Sequence, residues 1–329
     1  MTLALFDLPH HEARARLRDG APVYLGVDPV EYHGPHLSLH NDRLLSRGCI
    51  AELGARLQRR HGWEPLLADH LELGVEPCPG PGSRGFGFDA VREAVRQSCR
   101  ALLELGATRI VLVTFHGSPL HNLALHAGVE LVRQTGARAL APFCAVLHEM
   151  LAYDSAEPWA EAFACIDDPV ERDAVGRELR FDFHAGFFET SLALHWAPSS
   201  VSPLHRRLPP CPHYPLDRAS AAAAATARAL RRETLARELE FAAHALGWAT
   251  LRPFPGYTGR PHLARAQAGA AFARHLLDRY EALAHAVLVE GAAPPQPIAR
   301  WARWATAGGR LIGQPVLGIA DVTPAPEPV

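Results

Sequence analysis

The sequence of 329 residues predicts an α/β fold with a mainly parallel central sheet flanked by helices. Residues 109–115, Arg-Ile-Val-Leu-Val-Thr-Phe, form a continuous apolar run, which is typical of a parallel strand buried on both faces. Residues 23–27 form a second, shorter run that is rich in β-forming side chains. Amphipathic helical patterns separate such runs, and the alternation of strands with helices favours an open α/β sheet.

The helical patterns follow the strands along the chain. Residues 43–62 carry apolar side chains at helical spacing, and Asp42 just before them is either an N-cap or a metal ligand. Further amphipathic helices are predicted over 88–105 and 120–134. The apolar run 139–147 is predicted to be another buried strand.

The second half of the chain is less regular. Residues 152–180 are polar and partly helical, which suits a surface insertion better than a lid over a site. Residues 219–246 are rich in Ala and Arg and predict one long helix, and a later helix ends near Leu288. The predicted organisation is therefore one domain over 1–290 and a Pro-rich C-terminal tail over 291–329, which could dock on the body or on a neighbouring subunit. The apolar and aromatic middle of this tail consists of Trp301, Trp304, Leu311 and Ile312.

Composition excludes several classes of protein. The formal net charge is −2, so no basic field points to nucleic acid. No run approaches the ~20 apolar residues that span a bilayer, and the N-terminus lacks the pattern of a signal peptide. The six cysteines are scattered without a Cys-x-x-Cys pair, which fits free thiols better than disulfides or a zinc knuckle. These features predict a cytoplasmic protein.

Several side chains of the types that bind metal ions stand in short polar segments. They are Glu31, His33, Asp42, His116, His184 and Glu189. Imidazole and carboxylate ligands suit zinc, manganese or iron, and a pair of such ions needs a bridging carboxylate. Glu31, His33 and His116 follow predicted strands, and open α/β sheets bind ligands beyond the carboxyl ends of their strands. With 19 histidines in the chain, one isolated Glu-x-His pair would be weak evidence, so the prediction depends on the whole set.

Several segments resemble the creatininase (creatinine amidohydrolase) family. Residues 31–37, Glu-Tyr-His-Gly-Pro-His-Leu, resemble the family's Glu-Gln-His-Gly-Pro-His-Leu, and Asp42 follows at the family's interval. The strand that ends in His116-Gly117, the segment 184–191 and the segment 256–269 resemble later parts of the family in the same order. The resemblance spans roughly residues 20–290.

This resemblance implies a layered creatininase-like fold, two divalent metal ions per subunit and hydrolysis of a carbon–nitrogen bond. It implies that Glu31 and His116 bind one metal, that His33 and Glu189 bind the other, and that Asp42 bridges them. The substrate would be a small amide, cyclic amide, formamide or peptide, attacked by metal-bound hydroxide. Related members often form hexamers, so a homo-oligomer is expected.

The resemblance also indicates which residues are catalytic. His184 matches a family histidine suited to proton transfer near the leaving nitrogen, although it could instead orient a ligand. Creatininase itself has a metal-binding carboxylate two residues after the equivalent of His116, where this chain has Ser118. The resemblance therefore gives Glu189 more weight, and the predicted catalytic residues are His184 and Glu189.

The chain also departs from the family. Residues 115–119 read Phe-His-Gly-Ser-Pro where the family has Gly-His-Gly-Gly-Asn, so the pocket wall differs and creatinine is not the expected substrate. The altered pocket and the segment 152–180 favour a biosynthetic role. The lost Gly-Asn also supports an alternative, a non-catalytic scaffold or binding subunit, but a scaffold has no physical need for all five predicted metal ligands.

Nearby residues have simpler predicted roles. His36 is expected to orient its loop, while His40 and His121 are expected at the surface. Tyr32 and Phe115 could line the pocket or serve only in packing. Cys78 is not expected to be a nucleophile, because no His–acid partner is evident near it in the sequence.

Overall fold

A parallel sheet of five strands forms the centre of the computed structural model, which describes residues 2–311 and 317–325. The strand order is β1-β3-β2-β4-β5, and every pairing between these strands is parallel. The strands are β1 (Leu3–Ala4), β2 (Val23–Val27), β3 (Leu66–Leu71), β4 (Arg109–Val113) and β5 (Arg138–Leu140). The predicted α/β fold class is confirmed.

Helices cover both faces of this sheet. The first six are α1 (His10–Leu17), α2 (Asn41–His61), α3 (Phe88–Leu105), α4 (Pro119–Gln134), α5 (Phe143–Ala152) and α6 (Ala160–Phe163). The rest are α7 (Pro169–Glu178), α8 (Phe187–Trp196), α9 (Arg218–Ala229), α10 (Glu233–Trp248), α11 (Ala266–Leu288) and α12 (Ala302–Ala305). Helices α3 and α4 pack together on one face, where Gly128 lets α4 approach Leu112 of β4. Helices α2, α8 and α11 form another packed group, which contacts β2 and β5.

Two local predictions were wrong. The run 139–147 contains only the end of β5, and α5 begins at Phe143, because a short apolar run fits a buried strand and a buried helix equally well. Residues 219–246 form two helices rather than one, and Arg231 adopts a left-handed φ of 57° between them. Of the two alternatives for Asp42, the N-cap is excluded, since His40 occupies that position and Asp42 lies in the first turn of α2.

The break between α9 and α10 has a packing reason. The two helices fold back on each other, and each buries small side chains in the contact. Ala224 and Ala227 of α9 and Ala236 and Ala243 of α10 are at most 4% exposed. No Gly or Pro marks the turn, so the sequence offers no signal that would divide the helical pattern.

The segment 152–180 and the C-terminal tail both pack on the body. Trp159 in the first lies against Phe272 of α11, with ring centroids 5.6 Å apart. In the tail, the backbone of Phe254 exchanges hydrogen bonds with Asp321 and Thr323. Leu317 joins a buried cluster with Tyr32, Trp248 and other side chains near the site. Ile312 and the end of the tail at 326–329 lie outside the described residues.

Two predicted absences can be compared with the structure. All six cysteines are free thiols, and four of them are buried. Among the residues that the structure describes, no helix combines the length and the apolar character needed to cross a membrane.

Candidate metal centre

The predicted metal ligands converge at the carboxyl edge of the sheet. Loops that follow β2 and β4 deliver three of them, the first turn of α2 delivers Asp42, and α8 delivers Glu189. All of these side chains are buried: Glu31, His33, Asp42, His116 and Glu189. Residues separated by more than 150 positions therefore share one enclosed site.

Two groups of three side chains meet at Asp42. In the first, Nδ1 of His116 lies 2.9 Å from Oε2 of Glu31 and 3.7 Å from Oδ2 of Asp42. In the second, Nε2 of His33 lies 3.1 Å from Oδ1 of Asp42 and 3.7 Å from Oε2 of Glu189. Within each group the potential ligand atoms lie within 4.8 Å of one another. The two oxygens of Asp42 thus face different groups, as a bridging carboxylate requires.

Backbone carbonyls fix the orientation of the histidine rings. Nε2 of His116 donates to the carbonyl of Val75 at 2.8 Å, and Nδ1 of His33 donates to the carbonyl of Glu31 at 3.1 Å. Each ring therefore turns its other nitrogen, with its lone pair, toward the carboxylates. A hydrogen bond that fixes the tautomer in this way is typical of metal-binding histidines.

His184 lies beside the first group. Its Nε2 donates to the carbonyl of Tyr32 at 2.9 Å, and its Nδ1 lies 4.0 Å from Oε1 of Glu31. Its ring also stacks on His33 with centroids 4.3 Å apart. Glu31, His33 and His184 form a third group whose geometry could hold a metal ion.

Two buried carboxylate oxygens lack a well-aligned hydrogen bond, and a bound cation would satisfy both. They are Oε2 of Glu31 and Oδ2 of Asp42, and both face Nδ1 of His116. Burial raises the pKa of Asp42 well above its usual value, and the charge of Glu31 adds to this rise. Burial likewise raises the pKa of Glu189 to about 8, although His33 opposes it. Burial would also raise the pKa of Glu31, but the neighbouring His116 outweighs it and holds this pKa well below its usual range. The mixed oxygen and nitrogen donors fit zinc, manganese or iron.

A buried polar network supports the loop of His116 from behind. The hydroxyl of Thr114 donates to Oδ1 of Asp28 at 3.0 Å and accepts the backbone N–H of His116 at 3.0 Å. Nε2 of His121 lies 3.2 Å from the same hydroxyl, and Nδ1 of His121 accepts the N–H of Val75 at 3.4 Å. Val75 is the residue whose carbonyl holds the His116 ring, so the network closes on the candidate ligand. The predicted surface position of His121 was wrong, because this side chain is fully buried.

A tight loop places Glu189 at the start of α8. Oε2 of Glu189 accepts the N–H of Ala185 at 2.7 Å, and Ala185 adopts a left-handed φ of 49°. A side chain at Gly186 would clash with Oδ1 of Asp182 and approach the carbonyl of Thr258 to 2.5 Å. Asp182 accepts the N–H of Phe188 at 3.2 Å, and burial raises its pKa to about 7. Asp182 thus organises this loop, a role that sequence reasoning missed.

The remaining predicted neighbours have structural contacts. Nε2 of His36 lies 3.0 Å from the hydroxyl of Thr190 on α8, so His36 joins two loops of the site. The side chain of His40 is 44% exposed, in agreement with its expected surface position. The backbone N–H of Cys78 donates to Glu31, while burial raises the pKa of its thiol well above the ordinary value and disfavours a nucleophilic thiolate.

A cavity of about 270 Å³ opens onto the centre. Glu31, His116, His184 and Glu189 form one part of its wall. Apolar side chains from three helices and the adjoining loops form most of the rest, and they include Phe115, Phe143, Leu147, Met150, Phe183, Phe188, Phe241, Leu246 and Trp248. Phe115 was one of the residues expected either to line the pocket or to serve only in packing, and it lines the cavity. Most of the others lie far from any motif, and no sequence pattern indicates that they surround the site. A small, largely apolar molecule could reach the candidate metal ligands here.

The chain is similar in sequence and in fold to proteins of one known family. The family model described as creatinine amidohydrolase (creatininase) matches residues 7–284. A mutant creatininase structure of the Zn-Zn type has a TM-score of 0.54 and 19% identity, with 87% of this chain and 98% of that chain covered. A creatininase structure described with Mn has a TM-score of 0.53, 19% identity and the same coverage.

A third solved structure, described as creatinine amidohydrolase (creatininase), has a TM-score of 0.53 and 20% identity, with 86% of this chain and 97% of that chain covered. At these identities the three structures show a shared fold. No curated protein shows a significant sequence match to this chain.

Proposed function

This chain belongs to the creatininase family of metal-dependent amidohydrolases, and we propose that it hydrolyses a carbon–nitrogen bond with two divalent metal ions. Glu31 and His116 hold one ion, His33 and Glu189 hold the other, and Asp42 bridges them. The observation that carries this proposal is the position of Asp42, whose two oxygens lie 3.1 Å from His33 and 3.7 Å from His116.

Bound divalent ions lower the pKa of water and polarise a carbonyl or similar oxygen. The protein supplies the orientation: backbone carbonyls hold the rings of His33 and His116, and the N–H of Ala185 holds Glu189. Apolar walls limit the access of water to the reacting bond. His184 lines the same cavity, with its Nδ1 4.0 Å from Oε1 of Glu31, and this nitrogen would accept a proton in the reaction and pass it to the departing group.

The alternative of a non-catalytic scaffold rests on the lost Gly-Asn after His116-Gly117. The structure offers a substitute for that asparagine from helix α4. Nδ2 of Asn122 donates to the carbonyls of His116 and Ser118, both at 3.0 Å, and so fixes the same turn. The departure in sequence therefore does not remove the support of this loop, which favours the enzyme.

Metal content per subunit tests the proposal directly. Protein purified without added metal or chelator should contain about two equivalents of zinc, manganese or iron by elemental mass spectrometry. Asp42→Ala should lose both ions, because it removes the bridge, whereas Glu189→Ala should lose chiefly one. Asp19→Asn removes an exposed carboxylate away from the site and is the matched control.

A wild-type protein that holds no metal and takes up none on reconstitution would overturn the proposal. With metal present, amides, formamides and short peptides form the substrate screen, and His184→Ala separates two roles. Loss of turnover with full metal content would support proton transfer by His184, and loss of metal would make it a ligand. The homo-oligomer, the cytoplasmic location and the biosynthetic role stay predictions from the sequence.

A further inference from the structure

The cavity beside the candidate metals is acidic and apolar. Its described lining residues include four carboxylates, from Glu31, Glu76, Asp182 and Glu189, and no arginine. Glu31 and Glu189 belong to the candidate metal groups, and Asp182 accepts hydrogen bonds from the α8 loop and Thr258. Glu76 is the carboxylate whose role the metal centre does not explain.

Glu76 is held in place at the cavity wall. It follows Val75, whose carbonyl orients His116, and its Oε2 accepts the hydroxyl of Ser118 at 3.1 Å. It belongs to none of the groups that could hold a metal ion. Within the described part of the chain, no basic side chain forms an ion pair with it.

The backbone holds Glu76 in an unusual conformation. Its φ of 55° lies in the left-handed region, which residues other than glycine rarely adopt. Such strain persists where the surrounding structure imposes it, and it clusters at ligand sites. Here the strained residue is one whose carboxylate borders the cavity.

We infer that Glu76 binds a nitrogen donor of the substrate, and that the cavity selects amides with an apolar body that is neutral or cationic. This inference rests on the proposed function, because the amide must face the metal pair. A carboxylate without a basic partner attracts an N–H or ammonium group and repels an anion. Phenylalanine, leucine and methionine side chains that line the same cavity would contact the apolar body. Substrates with a phosphate or carboxylate on the body are disfavoured.

Hydroxamates test this selectivity without knowledge of the substrate, because the hydroxamate group chelates divalent metals. Three probes share one body: benzohydroxamic acid, its 3-aminomethyl derivative and its 3-carboxy derivative. Their affinities for the metal-loaded full chain are measured by calorimetry at pH 7. We expect the cationic probe to bind at least about tenfold more tightly than the anionic one.

Variants then assign the preference to one carboxylate. Glu76→Gln should reduce the ratio between cationic and anionic probes several-fold, with unchanged metal content and unchanged affinity for the neutral probe. Ser118→Ala, which frees the carboxylate to turn away, should give a smaller change in the same direction. Glu104→Gln removes an exposed carboxylate of α3 and should leave the ratio as in the wild type.

Equal affinities for the cationic and anionic probes would overturn the selectivity. An unchanged ratio in Glu76→Gln would overturn the role of Glu76. If none of the probes binds the metal-loaded protein, the accessible metal pair itself is wrong, and the proposed function falls together with this inference. If the neutral probe binds but charge has no effect, only this inference falls.

Discussion

Replacement of Thr114 by Val removes one hydroxyl behind the candidate metal centre and preserves the shape of the side chain. That hydroxyl donates to Oδ1 of Asp28, accepts the N–H of His116 and lies within hydrogen-bond distance of His121. In Thr114→Val, Asp28 keeps a backbone N–H at 2.9 Å and His121 keeps a backbone carbonyl at 3.0 Å. The N–H of His116 loses its partner in a buried position.

The cost follows from these contacts. A buried donor without a partner costs about 1–3 kcal/mol, and a hydrogen bond to a charged acceptor contributes about 1.5–3 kcal/mol. The added methyl group offsets part of this loss, so we expect the free energy of unfolding to fall by about 3 kcal/mol. Because His116 depends on the same loop, metal affinity should fall roughly 10–100-fold.

Urea denaturation of the metal-free protein measures the first effect, and competition with a chelator measures the second. The matched control is Thr226→Val, which removes an exposed hydroxyl that bonds only within helix α9. That variant should stay within about 0.5 kcal/mol of the wild type. If Thr114→Val matches Thr226→Val in both stability and metal affinity, the network does not position His116 and the reasoning is refuted.

Three further predictions follow from the same structure. Gly186→Ala should destabilise the fold by about 1–3 kcal/mol, because the new methyl group clashes with Asp182. The same variant should bind less metal at Glu189. Normal stability together with normal metal content would contradict this prediction. Leu317→Ala should cost about 2 kcal/mol in urea denaturation, since Leu317 is 7% exposed in the tail, and an unchanged midpoint would show that the tail does not dock. The metal-free protein should lose stability as the pH rises from about 5 to about 8. Burial raises the pKa of Glu189 to about 8, above the ~4.3 of the unfolded chain, so between these values the folded chain still holds a proton that the unfolded chain has released, and stability declines until the folded chain loses it too. Metal loading should remove this slope, and equal urea midpoints across that range without metal would contradict it.

The sequence predicted the fold class, and it predicted that the loops after two strands share one site. Both predictions have physical reasons. Continuous apolar runs marked β2 and β4, and the rule that ligands collect beyond the carboxyl ends of parallel strands placed Glu31 and His116 in one site. Strand β3 escaped notice because Asp69 and His70 interrupt its apolar run, although His70 is itself buried. That strand delivers the loop with Glu76, so the missed strand and the missed cavity residue have one cause.

Other site residues could not be predicted because their roles arise only in three dimensions. Asp182 stands in no motif, and Thr114 shows in the sequence only as part of a strand. Each acts through contacts with backbone groups that the fold brings near. His121 is a residue that was considered at the sequence level but placed wrongly. It was expected at the surface, whereas its side chain is fully buried, and burial lowers its pKa to about 3.

The energetics of the centre favour a site that holds metal ions over a carboxylate cluster that serves only the fold. Three buried carboxylates, Glu31, Asp42 and Glu189, face one another in a space that water barely reaches. Such a cluster lowers stability when it has no cation, and apolar residues of similar volume would be neutral or better. Divalent ions that bind only the folded chain would reverse this cost and contribute about 4 kcal/mol at a thousandfold excess over Kd. A scaffold could discard the cluster and gain stability, so its retention together with two oriented histidines is best explained by catalysis.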